Sequence, residues 1–203
     1  MHLNRDRIVT SALTLLDAYG LGDVTMRRVA TSLSVAPGAL YWHFPNKQAL
    51  LAALAQHIVA PAMESEAVTS PVALSLSLRK ALLAHRDGAE VVSAAVAQPN
   101  SQVWADITTA LSKALQAEIA HLDADEQMIG TLTLCHFVLG AVLAEQSESQ
   151  LVELTHRANS GSDAGLARTD GTTAFARATD NDGAAVIERG AQVVIRGLRR
   201  KGA

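Results

Sequence analysis

The chain of 203 residues is long enough for one large core or for a small domain joined to a larger one. Hydrophobic residues make up 49% and charged residues 18%, which excludes a disordered chain and predicts a well-buried globular protein. The net charge of −3 is uneven: residues 1–57 carry five Lys and Arg against three Asp and Glu, and the remainder carries twelve against seventeen. Only the N-terminal end therefore has a charge balance that favours contact with phosphate.

The single cysteine, Cys135, cannot form an internal disulfide, and no basic-then-apolar leader precedes the first predicted helix. These features indicate a cytoplasmic protein. The longest apolar run covers residues 128–144 and contains two threonines and His136. We interpret it as a buried helix of a bundle rather than a membrane span, so no membrane partner is expected.

The first predicted helix covers residues 3–19 and is amphipathic. Its apolar side chains share one side at helical spacing: Ile8, Ala12, Leu15, Leu16 and Tyr19. Gly20 and Gly22 end it, because glycine readily takes the left-handed conformation found at helix ends. Arg5 and Arg7, in its first turn, are candidates for phosphate contacts, with solvation at the surface as the alternative role for both.

Two short helices around a break at residues 34–38 predict a helix-turn-helix. Thr25 is suited to cap the first, over residues 25–33, because its hydroxyl can accept from backbone N–H groups of the first turn. Pro37 tolerates a first helical turn and disfavours the helical conformation in the residue before it. The second helix therefore begins near Pro37 and runs roughly over residues 37–44.

The second helix of this pair has an aromatic outer face. Leu40 and Phe44 are assigned to the core of the small domain. The outward positions hold Ala39, Tyr41, Trp42 and His43, preceded by Pro37 and Gly38. In a helix-turn-helix this helix enters the major groove, where Tyr and His bond to phosphates or base edges and apolar groups contact thymine methyls. Packing within the small domain is the alternative role for Tyr41, Trp42 and His43.

Residues 5–58 resemble the DNA-binding domain of the TetR family of one-component bacterial repressors. The resemblance rests on the run from Gly38 to Leu51, and its Leu-Tyr-Trp-His segment with Asn46-Lys47 is most similar to the tetracycline-responsive members. The family usually has glycine at the position of Ser34, so we expect backbone strain there. The expected DNA-binding residues are Arg27, Arg28, Pro37, Gly38, Ala39, Tyr41, Trp42, His43 and Lys47.

The next predicted helix runs from Lys47 to about Ala60, with Asn46 as its N-cap and Pro61 interrupting the pattern. Lys47 lies in the first turn, where a cation is unfavourable for the helix dipole. The family resemblance implies a DNA phosphate nearby, which accounts for this cost. We expect this helix to be the mechanical link between the DNA-binding part and the rest.

The remainder of the chain predicts helices near residues 71–86, 88–97, 100–121, 125–155 and 184–201. Residues 158–183 are rich in Gly, Ser, Thr, Asp and Asn and predict a loop with a short helix at 173–177. The predicted fold is all-α. It has an N-terminal three-helix helix-turn-helix domain over residues 1–58 and a larger helical ligand-binding and dimerisation domain over residues 59–203.

The predicted helix 125–155 is apolar on nearly every side between Met128 and Leu143, and such a helix must be covered all round. The last predicted helix has one apolar face, where Gly190 and Gly197 permit close approach. Two such helices per subunit, paired across a two-fold axis, form a four-helix interface, so we expect a homodimer. The alternative is that both are core helices of a monomer.

The C-terminal half also resembles the tetracycline-responsive members, in segments 81–89, 135–143, 182–184 and 195–198. We interpret the His-Arg-Asp triplet of the first segment as a helix end with a capping network. The resemblance implies a site for a magnesium–drug chelate, but its ligand positions hold Val92 and Ala144, which cannot bind a metal. Glu145 alone would leave the metal site incomplete. We therefore expect no metal, no cofactor and no response to tetracycline.

Positions that grip the drug in those relatives hold Met63, Leu74 and Leu78, which predicts an apolar pocket for a small-molecule inducer. The expected lining is Met63, Leu78, Val92, Trp104, Ile107, Leu111, Met128, Leu132, Cys135 and His136. Among these, His136 is the polar group suited to orient a ligand. The alternative is that the apolar members are simply core residues.

These features predict a ligand-responsive transcriptional repressor that binds a palindromic double-stranded DNA operator as a dimer and is released by a small, mostly apolar inducer. A DNA-binding regulator without a small-molecule ligand, controlled by a protein partner, is the alternative. An enzyme is not expected and no catalytic residue is assigned. Cys135 and His136 are neighbours whose side chains diverge on a helix, and the sequence contains no metal-protease, Cys-x-x-Cys or phosphate-loop motif.

Overall fold

The structure is a computed structural model, and it describes residues 3–64, 70–160 and 183–201. Within these ranges the chain is all-α, as the sequence predicts, with nine α-helices and a short 3-10 turn at Leu21–Asp23. The helices are α1 (Arg5–Tyr19), α2 (Met26–Ser32), α3 (Pro37–Tyr41), α4 (Lys47–Met63), α5 (Pro71–Leu83), α6 (Gly88–Val96), α7 (Gln102–Glu118), α8 (Ala124–Ser160) and α9 (Gly183–Lys201). The short helix predicted at residues 173–177 lies outside the described residues.

Polar residues mark the starts of six helices. Each has a side-chain oxygen that accepts a hydrogen bond from the backbone N–H three residues later, and they are Asn4, Thr25, Asn46, Ser70, Ser101 and Asp123. Such caps satisfy N–H groups that the first helical turn leaves without a backbone partner. The two caps predicted from the sequence, Thr25 and Asn46, are thereby confirmed.

Helix α4 continues past the proline that was predicted to end it. It runs from Lys47 through Pro61 to Met63. A proline this close to the helix end removes a single backbone donor, and its ring lies on the exposed side of the helix. The predicted end at about Ala60 is therefore wrong by most of a turn. Helices α5 and α7 differ in the other direction, each ending three residues before its predicted limit.

Helix α3 is shorter than predicted and ends at Tyr41. Beyond it, the N–H groups of His43 and Phe44 both donate to the carbonyl of Leu40, at 2.9 and 2.8 Å. Pro45 follows and disfavours the helical conformation in Phe44, so the chain turns towards α4 instead of extending the helix.

Helix α4 connects the two halves of the molecule. We call helices α1–α3 the head. Helix α4 packs against α1 and, more extensively, against α5, α6 and α7. Its buried side chains, Leu50, Leu54 and Ile58 among them, belong to one apolar core that extends from the head to α9. Because α4 runs unbroken through residue 58, the division into residues 1–58 and 59–203 stays a prediction.

Helix α8 has one buried and one exposed face. Its buried side chains face α5, α7 and α9 and include Leu134, Cys135, Val138 and Val142. The opposite face is exposed along Ile129, Thr133, His136, Gly140 and Leu143. The segment Ala124–His156 is apolar and long enough to cross a membrane by length and composition. Its buried face forms part of the core, as predicted for a bundle helix.

Candidate functional site

Two buried side chains anchor α3 and the residues after it in the head and leave the outer face exposed. Leu40 and Phe44 are fully buried in the core of the head. Tyr41 is 51% exposed and Trp42 is 92% exposed. A large aromatic side chain in water on a short helix is costly unless it meets a partner. The core role predicted for Leu40 and Phe44 is therefore confirmed, and Trp42 does not pack within the head.

Three of the remaining residues of this face, Pro37, Gly38 and Ala39, are small. A methyl group added to Gly38 would meet no atom within 4 Å, so the surface there is open. Pro37 and Gly38 are exposed, and Ala39 and His43 are half-buried. We call Pro37, Gly38, Ala39, Tyr41, Trp42 and His43 the recognition surface. Its chemistry suits the major groove, because small groups permit close approach and Tyr and His carry hydrogen-bonding groups.

The turn between α2 and α3 contains the expected strain. Ser34 has a φ of 55°, in the left-handed region that non-glycine residues rarely adopt. The N–H of Val35 donates to the carbonyl of Ala30 at 3.0 Å, which closes the turn. The sequence predicted this strain from the departure from glycine.

The basic residues of the predicted site differ in their surroundings. Lys47 is half-buried at the start of α4, and Arg27 is exposed on α2. Arg28 forms an ion pair with Asp23, and its guanidinium carbon lies 4.7 Å from the centre of the Tyr19 ring. The guanidinium of Arg28 is thus held against its own head, which the local sequence did not indicate.

The predicted pocket residues do not share one environment. Five of them are fully buried in the core: Leu78, Val92, Ile107, Leu111 and Cys135. Met63, Trp104 and Leu132 are half-buried, whereas Met128 and His136 are exposed. The rings of Trp104 and His136 lie with their centres 5.3 Å apart. This pair brings together one polar and one aromatic member of the set at the surface between α7 and α8.

Glu145, next to the lost metal position, is bound by an arginine. Arg79 donates from Nε to one carboxylate oxygen at 2.9 Å and from a terminal nitrogen to the other at 2.5 Å. Such a two-point pair holds both charges in a fixed geometry. Among the described residues, no three His, Cys, Asp or Glu side chains are grouped as a metal would require.

A polar junction joins the head to the C-terminal helices. We define it as Asp17, Leu21, His85, Asp87 and Gln150. Asp17 accepts from the His85 ring at 3.1 Å, and the carboxylate of Asp87 accepts from the Leu21 N–H at 2.7 Å and from the Gln150 side chain. The His-Arg-Asp triplet therefore does form a network at a helix end. Sequence reasoning missed its partners, because nothing in local spacing relates residue 17 to residue 85.

The buried thiol of Cys135 has low reactivity. Burial raises its pKa to about 12, because the thiolate would be poorly solvated in the core. It therefore stays protonated near neutral pH and is unsuited to act as a nucleophile.

A surface groove of about 510 Å³ lies in the head, away from the predicted pocket. It is lined by Asn4, Asp6, Arg7, Thr10, Ser11, Thr14, Leu15, Ser32 and Leu33. The hydroxyls of Ser11 and Ser32 are hydrogen-bonded across it at 2.6 Å. Most of its lining residues are polar in type, although the surface that they present to the groove is mainly apolar, and none of them belongs to the set predicted for an inducer site.

Two family models match this chain. Residues 8–54 match the model of bacterial regulatory proteins of the tetR family, and residues 72–201 match the model of the tetracyclin repressor-like C-terminal domain. The first covers the head and the start of α4. The second covers helices α5 to α9.

Individual proteins are similar over most of the chain. The Escherichia coli tetracycline repressor protein class E is 34% identical over 161 residues, or 73% of this chain and 72% of that protein. The crystal structure of BioQ with its double-stranded DNA operator has a TM-score of 0.67 and 38% identity, covering 78% of this chain and 95% of that one. ActR, a TetR family protein of Streptomyces coelicolor solved in complex with (S)-DNPA, has a TM-score of 0.71 and 27% identity over 100% of both chains.

Proposed function

The chain belongs to the TetR family of bacterial transcriptional regulators, and we propose that it is a repressor that binds a palindromic operator as a homodimer and is released by a small, mostly apolar inducer. Ligand binding and dimerisation are typical of this family, whose members are regulators rather than enzymes. We further propose that residues 1–58 bind DNA, that residues 59–203 bind the inducer and dimerise, and that the protein acts in the cytoplasm.

The recognition surface is the observation that carries this proposal. Trp42 and Tyr41 are held in water by the buried anchors Leu40 and Phe44 on a helix-turn-helix. The second helix of this motif enters the major groove. BioQ, which is 38% identical, has been solved with its operator. We propose that Lys47, in the first turn of α4, supplies a phosphate contact beside this surface.

A dimer is needed to present two recognition surfaces to one operator. The exposed face of α8, with Ile129 and Leu143, is an apolar strip that a second subunit can cover. Gly197 on α9 is also open, since an added methyl group would meet no atom within 4 Å. Paired α8 and α9 helices would place the two heads in successive major grooves, about 34 Å apart.

The inducer is expected to be apolar, because the positions corresponding to the metal ligands hold Val92 and Ala144. ActR, which is similar over the whole chain, was solved in complex with (S)-DNPA. A ligand that binds the C-terminal helices better when the heads are differently spaced would shift the dimer away from DNA. Helix α4 and the polar junction are the two contacts through which this shift would reach the head.

The proposal is tested by a mobility shift of the purified protein on the intergenic DNA beside its own gene. The same assay is repeated with hydrophobic drugs and metabolites, and with tetracycline in the presence and absence of magnesium. We expect a specific shift that an apolar compound abolishes and that tetracycline leaves unchanged.

The other outcomes distinguish the alternatives. A specific shift that no compound changes would favour a regulator controlled by a protein partner, in which the buried pocket residues are simply core. Release by tetracycline with magnesium alone would contradict the apolar-inducer proposal. A protein that binds this fragment no better than unrelated DNA would contradict repression of its own promoter.

A further inference from the structure

We propose that Arg5 is a positioning residue for DNA recognition, which fixes the chain that leaves α3 instead of contacting DNA itself. The inference rests on the proposed operator binding. It adds a residue outside the helix-turn-helix, at the first position of α1, to the set on which operator selectivity depends.

Two contacts tie Arg5 to the end of the recognition surface. A terminal nitrogen of its guanidinium donates to the backbone carbonyl of His43, 38 residues away in sequence. The guanidinium carbon also lies 4.1 Å from the centre of the Phe44 ring. Arg5 is itself exposed, whereas Phe44 is fully buried. The arginine therefore covers the outer side of the Phe44 ring, as long basic side chains do over apolar surface.

The segment that Arg5 holds connects two helices. Helix α3 ends at Tyr41, and α4 does not begin until Lys47. Trp42 and His43 lie in this connection, outside regular helix, although they are part of the recognition surface. The restraints on it are the two bonds to the Leu40 carbonyl, the buried Phe44 ring and the Asn46 cap. Arg5 adds a contact from α1 at the point where the recognition residues leave α3.

The geometry calls for arginine rather than for any cation. A planar guanidinium can lie over a ring with its face while donating hydrogen bonds in its own plane. The ammonium of lysine is a compact, strongly hydrated charge and cannot do both at once. A phosphate contact, by contrast, is largely satisfied by either cation. Arg5→Lys therefore separates the two roles, because it keeps the charge and loses the stacking.

The experiment titrates Arg5→Lys, Arg5→Ala and Lys47→Ala against the operator fragment and against a scrambled duplex, each at several salt concentrations. For both Arg5 variants we expect operator affinity to fall by about tenfold, with non-specific affinity and salt dependence unchanged. Lys47→Ala is the matched control for a phosphate contact. It should weaken binding to both duplexes and reduce the salt slope by about 0.9.

A DNA-free measurement tests the restraint separately. Hydrogen exchange of the amides in residues 42–46 should be several-fold faster in Arg5→Lys than in the wild type, whereas exchange within α7 should not change. This comparison stays informative if the wild type shows no preference for the operator fragment, an outcome that would count against the proposed function alone.

Two results would overturn the inference. One is an Arg5→Lys variant that binds and exchanges like the wild type while Arg5→Ala reduces the salt slope as Lys47→Ala does, which would make Arg5 a phosphate contact. The other is a loss of operator affinity on Arg5→Lys that is the same in a Phe44→Leu protein as in the wild type. If Arg5 and Phe44 contact each other, the double-mutant cycle should show that their effects are coupled. If Arg5→Ala fails to fold, Arg5→Lys and the cycle still decide the question.

Discussion

In α3 and the residues after it, buried side chains that pack in the core of the head stand on either side of side chains that face water. Leu40 and Phe44 are fully buried, whereas Trp42, which lies between them in sequence, is 92% exposed. A single substitution at an exposed position of this run can therefore change DNA binding without changing the core. Substitutions at these exposed positions can therefore distinguish base recognition from phosphate binding.

Trp42→Ala is expected to reduce operator affinity by about 10- to 100-fold and to leave binding to unrelated DNA nearly unchanged, because it removes a base-facing group without removing charge. Competition titrations with operator and scrambled duplexes measure both affinities. Ala94→Ser, on the exposed side of α6, is a surface control that should alter neither. Unchanged selectivity in Trp42→Ala would show that the assignment of this residue to base contact is wrong.

Ser34→Gly is expected to stabilise the protein by about 1 kcal/mol. Glycine relieves the backbone strain at φ 55°, which costs roughly 1–3 kcal/mol. Part of this gain in stability is lost because glycine has greater conformational freedom in the unfolded chain. Urea unfolding followed by circular dichroism measures the change. Ser93→Gly, within α6, is the control and should instead destabilise by about 0.5–1 kcal/mol. A loss of stability in both variants would contradict the strain at Ser34.

Cys135 is expected to react with iodoacetamide in the native protein only as fast as the protein opens, because the raised pKa of about 12 leaves almost no thiolate near pH 8. The folded-state pKa lies above the ordinary value of 9.0, so the neutral thiol contributes stability below about pH 9 that is lost as the pH rises towards 12. Mass spectrometry follows the labelling. The urea-unfolded chain, which should react at once, is the control, and rapid native labelling would contradict burial.

At the scale of elements, the polar junction connects three helices through two carboxylates. Asp17 lies on α1, Asp87 precedes α6 in a left-handed conformation with φ 54°, and Gln150 lies on α8. Gln146, one turn earlier on α8, donates to the carbonyl of His85 at 2.9 Å and accepts from the Ala89 N–H at 2.9 Å. Directional hydrogen bonds through Asp87 therefore link the head to α8, in addition to the packing of α4, and a small helix shift can break them.

Gly20→Ala is expected to destabilise the protein by about 1–3 kcal/mol and to weaken operator binding. Gly20 has a φ of 86°, and an added methyl carbon would lie 2.8 Å from the Asp87 carboxylate that bonds to Leu21. Urea unfolding and operator titration measure the two effects. Gly22→Ala, two residues away with no atom within 4 Å of an added methyl group, should stay within about 0.5 kcal/mol of the wild type. Equal effects of the two substitutions would contradict a role for the junction.

At the scale of the whole molecule, the exposed strip of α8 and the open side of α9 are the surfaces that the proposed homodimer would cover. The two glycines that the sequence assigned to close approach have different roles. A methyl group on Gly190 would lie 2.1 Å from the Phe137 ring of the same chain, whereas one on Gly197 would meet nothing within 4 Å. Gly190 therefore serves packing between α8 and α9, and only Gly197 is open to a second subunit.

Leu143→Arg is expected to convert the proposed homodimer to a monomer, raising its dissociation constant by about 100-fold or more, because it places like charges in the proposed apolar interface. Operator affinity should fall with it, since two heads must bind together. Sedimentation velocity measures the oligomeric state. Ala94→Arg, on the exposed side of α6, adds the same charge elsewhere and should leave the dimer intact. A Leu143→Arg protein that remains dimeric would exclude this face as the interface.

The sequence by itself determined the local features of this protein, because they depend on neighbouring residues. Helical periodicity predicted the all-α fold, Thr25 and Asn46 predicted helix starts, and the departure at Ser34 predicted strain. The buried anchors and exposed aromatic residues of the recognition surface could also be predicted from the sequence, since they lie within one short helix and the residues that follow. The resemblance to the TetR family was carried by the same contiguous run.

Only the tertiary structure decided what residues far apart in sequence do to one another. The pairing of Arg5 with Phe44, of Arg79 with Glu145 and of Asp17 with His85 depends on helices that meet in space, and no spacing along the chain encodes it. The same reason separates the predicted pocket residues into buried, half-buried and exposed members. Apolar character is a property of a residue, but whether it lines a cavity, fills a core or faces a partner depends on the elements packed around it.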